Sequence, residues 1–184
     1  MTGAEDGPRE AVESLFQRGM AARREGRPAE ALEHMKAAVA LARAHGDPIA
    51  LARALHGRAN VERDRGRSDI ALRLYREAIP LCRQGDDPLV LSHTLRHLGD
   101  VLRASGDLAT AEPCYTEALA LYRVHGATPA LDVANAVRPL ALLRETLGQR
   151  EEARALWREA RDLYREAGVE AGVAESSAHL EQLG

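Results

Sequence analysis

Apolar side chains recur along the chain at intervals of three and four, the spacing that gathers them on one side of a helix. That pattern is itself repeated. Gly26, Gly66 and Gly106 are 40 residues apart, and Gly148 follows slightly late. Five residues after each glycine stands an alanine: Ala31, Ala71, Ala111 and Ala153. Four further on is a large side chain (Met35, Tyr75, Tyr115 or Trp157), and three beyond it a second alanine (Ala38, Ala78, Ala118 or Ala160). Leu41, Leu81, Leu121 and Leu163 complete the row. The alanines mark where two helices can cross closely, and the large residue between them fills the gap against the next helix pair.

The breaks have the same period. A glycine stop followed by small or polar residues separates one helix from the next, as in Gly26-Arg27-Pro28, Gly66-Arg67-Ser68-Asp69 and Gly106-Asp107. A second break closes each unit: His45-Gly46-Asp47-Pro48, Gly85-Asp86-Asp87-Pro88 and His125-Gly126-Ala127-Thr128-Pro129. Proline just past a glycine stop is a favoured first helical residue. The pattern predicts an A helix and a B helix in each of four units. The A helices cover about 9–25, 48–65, 88–105 and 129–147. The B helices cover about 28–45, 68–84, 108–125 and 150–167. A last helix, about 169–183, reads as a cap on the end of the array. Residues 1–8 read as a flexible tail, and 9–184 as one domain with repeats at about 9–46, 48–86, 88–127 and 129–168. Pro80 and Pro139 fall inside helices and should kink them; Pro139 would leave the carbonyl of Asn135 without its helical partner.

Composition narrows this picture. Aromatic residues are only 3% of the 184, so the core must be built from Ala and Leu, which suits helix-on-helix packing. The net charge of −3 is unlike the basic excess of a nucleic-acid binder. Lys36 is the only lysine, an arginine bias that reads as the codon usage of a GC-rich bacterial genome. Cys82 and Cys114 form no zinc or disulfide framework and read as small buried hydrophobes. The N-terminus is not a signal peptide, and no apolar run approaches the roughly 20 residues of a membrane span. A cytoplasmic protein is the expectation.

A small residue in mid helix A (Gly19, Ala59, Gly99, Ala141), followed by Ala, a large residue and Ala along helix B, resembles the tetratricopeptide repeat. The best segment runs from Leu98-Gly99-Asp100-Val101 to Ala111, Tyr115 and Ala118. The unit of about 40 residues is similar to the longer-helix variety of kinesin light chains and bacterial regulators. The Trp that family carries early in helix A is Leu15, Leu55, Leu95 and Val137 here, and Arg18 and Arg58 replace a Leu. The resemblance implies an all-α, right-handed α-solenoid of four hairpins plus the cap. It also implies a protein-binding scaffold, without catalysis or cofactor, whose partners lie against the A helices.

Carried over position by position, the family's inward face comprises Glu13, Phe16, Met20 and Arg23, then Arg53, His56, Asn60 and Arg63. His93, Arg96, His97, Asp100 and Arg103 continue it, followed by Asn135, Arg138, Leu142 and Glu145. Six arginines face three carboxylates there, which suits an acidic segment or a C-terminal carboxylate. The arginines could equally be paired locally, as Asp100 could pair with Arg96 and Arg103. Phe16 and Met20 form an apolar spot for docking or for packing. The match to clamps for chaperone tails is poor: Asn60 fits, but His56 stands at a lysine position and Pro139 where an arginine is wanted.

His56, His93, His97 and Asp100 are weak candidates for a metal site, since two His and a carboxylate share a helix face; the His-Glu-x-x-His arrangement is absent. No Gly-rich phosphate loop, nucleophile elbow or phased Cys–His pair is present. Val169, Val173, Leu180 and Leu183 on the last helix could pair with a second copy, so a homodimer is one alternative; a regulatory sensor of a small anionic ligand or metal is another.

Overall fold

The computed structural model describes residues 3–85, 87–125 and 128–184. Its helices run α1 Gly3–Arg24, α2 Pro28–His45, α3 Pro48–Asp64, α4 Ser68–Gln84, α5 Pro88–Ala104, α6 Leu108–Val124, α7 Ala130–Thr146, α8 Arg150–Glu166 and α9 Glu170–Leu183. No strand occurs among the described residues. The chain divides into two compact units, Met1–Val101 and Leu102–Gly184, with the division inside α5. In the first unit α1 packs on α2 and α3, α2 on α3, and α3 on α4; in the second α6 packs on α7, α7 on α8, and α8 on α9.

The repeated row forms the core. Ala31, Met35, Ala38, Ala71, Tyr75, Ala78, Ala111, Tyr115, Ala118, Ala153, Trp157 and Ala160 are all fully buried. Leu41, Leu81, Leu121 and Leu163 are half-buried. The small residues of the A helices complete the fit. A Cβ on Gly57 would lie 2.8 Å from both Met35 Sδ and Phe16 Cε2, so α2 and α3 can meet only because that position is bare. Cys82 and Cys114 are buried and unbridged, and burial pushes the Cys82 thiol up to about 11.

The helix ends follow the expected punctuation with three differences. Gly26, Gly46, Gly66, Gly106 and Gly148 all take the left-handed conformation, with φ between 67° and 84°. Gly85 does not: its φ is −86°, and an added Cβ would sit 2.5 Å from Ile49 Cγ1. Glycine is required there for close approach rather than for backbone freedom. Gly126, Ala127 and Asp86, counted among the breaks, lie outside the described residues. The second difference is α1, which begins at Gly3 instead of Arg9, so residues 3–8 are helical rather than a flexible tail. The third is Pro113, which lies inside α6 alongside the expected internal prolines of α4 and α7. α7 continues unbroken through Pro139, which is buried.

Side-chain caps reinforce the restarts. Asp47 Oδ1 accepts from the Ile49 and Ala50 amides at 3.0 Å, Asp87 from Val90 at 3.0 Å and Asp107 from Thr110 at 3.1 Å. Each satisfies a donor that the first turn of a helix otherwise leaves open.

The terminal helix is seated specifically. Gly172 faces the Tyr164 ring so closely that a Cβ would meet it at 2.4–2.6 Å. His179 stacks on Trp157 with ring centroids 4.1 Å apart and planes 10° from parallel. Glu145 of α7 accepts from Trp157 Nε1 at 2.8 Å and lies 3.0 Å from His179 Nδ1. Arg150 and Arg154 of α8 donate to the carbonyls of Leu183 and Gly184 at 2.6 and 2.5 Å, closing the end of α9 with positive charge. Gly172→Ala should therefore push α9 off its seat. Overpacking of this kind costs about 1–3 kcal/mol. Thermal unfolding should show the loss, and the emission of the single tryptophan, Trp157, should change as its stacked imidazole departs.

Candidate functional site

The open face of the odd-numbered helices in the first unit has an apolar end and a charged end. At the first, α1 and α3 enclose an open cleft of about 620 Å³ with Val12, Phe16, Ile49, Ala50 and Ala54 among its lining. Its charged rim is already internally paired: Arg9 Nε contacts Asp47 Oδ2 at 2.5 Å, and Arg53 Nη1 contacts Glu13 Oε2 at 3.0 Å. The Arg53 guanidinium also lies over the Phe16 ring, 5.3 Å from its centroid. Phe16 and Met20 are half-buried, packed against a cluster of Ala22, Ala31, Leu32, Met35 and Val61. They serve the core, and Phe16 still reaches the cleft.

Further along α3 and α5 comes a polar cluster. Tyr75 donates its hydroxyl to Asn60 Oδ1 at 2.6 Å. Asn60 Nδ2 lies 2.9 Å from His56 Nε2, His56 Nδ1 lies 2.9 Å from Thr94 Oγ1, and Thr94 donates to the Val90 carbonyl at 2.6 Å. One proton arrangement satisfies every link. Thr94 has spent its hydrogen on Val90, so it accepts from His56 Nδ1–H, and His56 Nε2 accepts from the Asn60 amide. His56 is thereby fixed as a neutral imidazole. Burial, assisted by the neighbouring His97, His93, Arg96 and Arg63 charges, holds it well below its ordinary range. Burial also pushes the Tyr75 phenol up. Asn60 is 3% exposed, so it is a core link and not a residue of the open face.

The other expected residues of this face are half-buried, and most of their charges are answered by neighbouring helices. Arg23 Nε contacts Asp64 Oδ2 at 2.5 Å, and Arg63 Nη2 contacts Asp64 Oδ1 at 3.3 Å. Arg96 lies 3.7 Å from Asp100, the pairing considered from sequence. His93 stands beside His56 at 6.4 Å between ring centroids, and His97 at 5.6 Å. The four metal candidates are thus neighbours, but the nitrogens of His56 are committed to Thr94 and Asn60. Among the described residues no three His, Cys, Asp or Glu side chains are placed to share an ion.

In the second unit Arg138 is held by α9. Its Nε and Nη2 reach Glu175 Oε2 and Oε1 at 2.7 and 2.5 Å, a bidentate pair that holds Glu175 below the usual carboxylate range. Asn135 Oδ1 accepts from the Tyr164 hydroxyl at 3.1 Å. Leu142 is half-buried, and the half-buried Arg103 has its Nε hidden without a hydrogen-bond partner among the described residues. Val169, Val173, Leu180 and Leu183 are half-buried rather than displayed. No described helix is long and apolar enough to cross a membrane.

Several of these pairs join residues about one repeat apart: Glu13 with Arg53, Arg23 with Asp64, Arg43 with Glu77, Arg123 with Glu159 and Arg138 with Glu175. Charge spacing within one helix does not reveal them. Opposite charges at the repeat spacing were the available signal.

Comparisons with known proteins agree with this architecture. Residues 5–180 match the family described as the MalT-like TPR region, and the chain belongs to that family. Repeats of this class generally mediate protein–protein interaction and are typically non-catalytic. No curated protein matches the chain. Among solved structures it is similar to aspartyl phosphate phosphatase F from Bacillus subtilis, with 15% identity and a TM-score of 0.80 over 92% of this chain and 44% of that one. It is similar also to a signal transduction ATPase with numerous domains, bearing a tetratricopeptide repeat sensor, from Pyrococcus horikoshii; there identity is 17% and the TM-score 0.78 over 94% of this chain and 27% of that one. A Podosopora anserina chain with nearly identical TPR-like repeats, described as a kinesin light chain, gives 15% identity and a TM-score of 0.69 over 96% and 95%. The chain therefore spans less than half of the first two. At such identities the likeness concerns the fold alone.

The neutral imidazoles give the first unit a defined acid sensitivity. His56 and His97 are both held well below 6.5 in the fold, mainly by burial. The unfolded chain then binds more protons than the folded one, so stability is full above about pH 6.5 and falls as pH drops below it. The loss should not exceed about 1.4 kcal/mol per pH unit for each histidine. Thermal midpoints measured from about pH 7.5 down to 5 should show it. His56→Asn with His97→Asn should lower the midpoint at neutral pH and flatten its slope.

Proposed function

We propose that the chain is an interaction module whose first unit receives an acidic peptide or protein segment on the open face of α1, α3 and α5. The observation that carries this reading is the state of the arginines there. Arg23, Arg53, Arg63 and Arg96 are half-buried with partners on neighbouring turns or helices. Half-exposed pairs of this kind contribute only about 0–1 kcal/mol each. An incoming carboxylate can replace Glu13, Asp64 or Asp100 at little cost, and arginine offers it a planar, two-pronged donor set. The apolar cleft beside Phe16 supplies the desolvated contact area that charge exchange alone lacks. Arg138 contributes less, because its fork is filled by Glu175.

Selection from a random peptide library tests this directly. The wild-type chain should enrich Asp- and Glu-rich sequences that also carry an apolar residue. Arg53→Gln with Arg96→Gln, shown by circular dichroism to remain helical, should lose that enrichment with affinities at least about tenfold lower, the effect of removing two charge-assisted contacts. Enrichment of basic or uncharged sequences by the wild type would overturn the acidic reading.

A further inference from the structure

His97 is placed between two groups that can only donate. Its Nδ1 lies 2.5 Å from Arg63 Nη1, and its Nε2 lies 3.0 Å from Arg96 Nη2. A neutral imidazole has one acceptor nitrogen and one N–H, so one of these contacts sets a hydrogen against a hydrogen. A protonated ring is worse placed still, with both N–H groups aimed at guanidinium cations. Among the described residues the one acceptor in reach is Asp100, whose Oδ2 lies 3.4 Å from Nδ1, too far for a strong bond. In contrast to His56, whose links all close, this ring has no proton arrangement that satisfies every contact: with its hydrogen on Nδ1 it reaches Asp100 and accepts from Arg96, but that hydrogen then meets Arg63.

The charges around it explain what is missing. α1 contributes Arg23; α3 contributes Arg63, Asp64 and the neutral His56; α4 contributes the un-ionised Tyr75 at 6.2 Å between ring centroids; α5 contributes His93, Arg96 and Asp100. Three guanidiniums face two carboxylates, one positive charge in excess, in a half-buried place where water screens it incompletely.

We infer that the Arg63–His97–Arg96 cluster is a site for a single carboxylate, and that filling it draws a proton onto His97. This rests on the acidic-segment reading above and adds the point of attachment and its regulation. A carboxylate drawn to the Arg63 and Arg96 forks turns them away from the ring nitrogens and cancels the excess charge. The ring then accepts a proton from solvent and donates one N–H to the ligand and the other to Asp100. Because coupling between two ligands is reciprocal, an anion that raises the ring's affinity for a proton is itself bound more tightly when protons are abundant. Affinity therefore rises as pH falls.

Nuclear magnetic resonance of the histidine ring signals in the intact chain tests this, with His97 assigned by His97→Gln. Two probes separate the sources of a carboxylate: acetyl-triglutamate amide, which offers only side chains, and acetyl-trialanine with a free C-terminus. At saturation with either probe the pH midpoint of the His97 ring should move upward, and the probe's affinity should increase on acidification, by at most about tenfold per pH unit, across the range between the bound and free midpoints of the ring. Arg96→Gln and Arg63→Gln should each abolish the midpoint shift, whereas Arg123→Gln on α6 should leave it intact. Binding with an unchanged midpoint overturns the inference and leaves the acidic-segment reading standing. Failure of both probes to bind at millimolar concentration overturns it as well, and the library selection then decides that reading on its own. An upward shift that persists in both arginine variants assigns the carboxylate elsewhere and also overturns it.

Discussion

Everything else in this structure depends on how closely its helices can approach. In each even-numbered helix from α2 to α8 two alanines bracket one bulky residue, and all twelve side chains are buried to zero exposure. The alanines let the backbones come together, and the bulky residue fixes where the neighbouring helix must be thin. Gly57 is such a thin point, because it meets the end of Met35 where no Cβ would fit. Dispersion energy in a core of this kind comes from many short contacts, and it is lost when a single methyl group holds two helices apart. The low aromatic content follows from the same constraint. One large side chain per hairpin, Met35, Tyr75, Tyr115 or Trp157, fills the space between the alanines.

That constraint also explains what could be read without coordinates. Alanine, large residue and alanine at fixed intervals are a one-dimensional record of a contact that recurs once per repeat, so the helices followed within a residue or two from Pro28 onward. The signals that failed are those whose meaning depends on a neighbour. Gly85 shares its residue type with the left-handed stops, but its reason is the Ile49 side chain from a different helix. The segment 1–8 looked like a tail, but α1 already runs from Gly3.

The state of the residues assigned to the open face was not legible in the sequence. The residues assigned to it are half-buried along the odd-numbered helices, with Asn60 the exception. Asn60 resembles its groove neighbours in polarity and spacing. Only the Tyr75 hydroxyl, one helix away, shows that its amide is turned inward. The arginines likewise looked like unspent charge, because their partners stand about a repeat away in sequence. A net charge of −3 for the chain should itself suggest that concentrated arginine finds acids nearby. The pairing does not weaken the face as a binding surface. It keeps the guanidiniums extended and oriented, so a competing carboxylate meets donors whose conformational entropy is already lost.

The contrast between His56 and His97 shows where such a face can respond. The two imidazoles are neighbours, and burial depresses both. His56 sits in the middle of a chain of bonds in which each donor meets an acceptor, so a proton added to it must break the Asn60 link and disturb the core. His97 has no complete set of bonds to lose, and beside burial the neighbours that keep it neutral are the side-chain guanidiniums of Arg96 and Arg63. A buried ring whose polar links all close tends to stiffen a fold, whereas one whose links conflict stores a preference that a ligand can release. Evenly repeated helices offer few places for such a conflict, since most positions are fixed by the packing rule. It can survive only where the rule is silent, at the solvent edge of the odd-numbered helices, and there a charge brought by a partner can settle it.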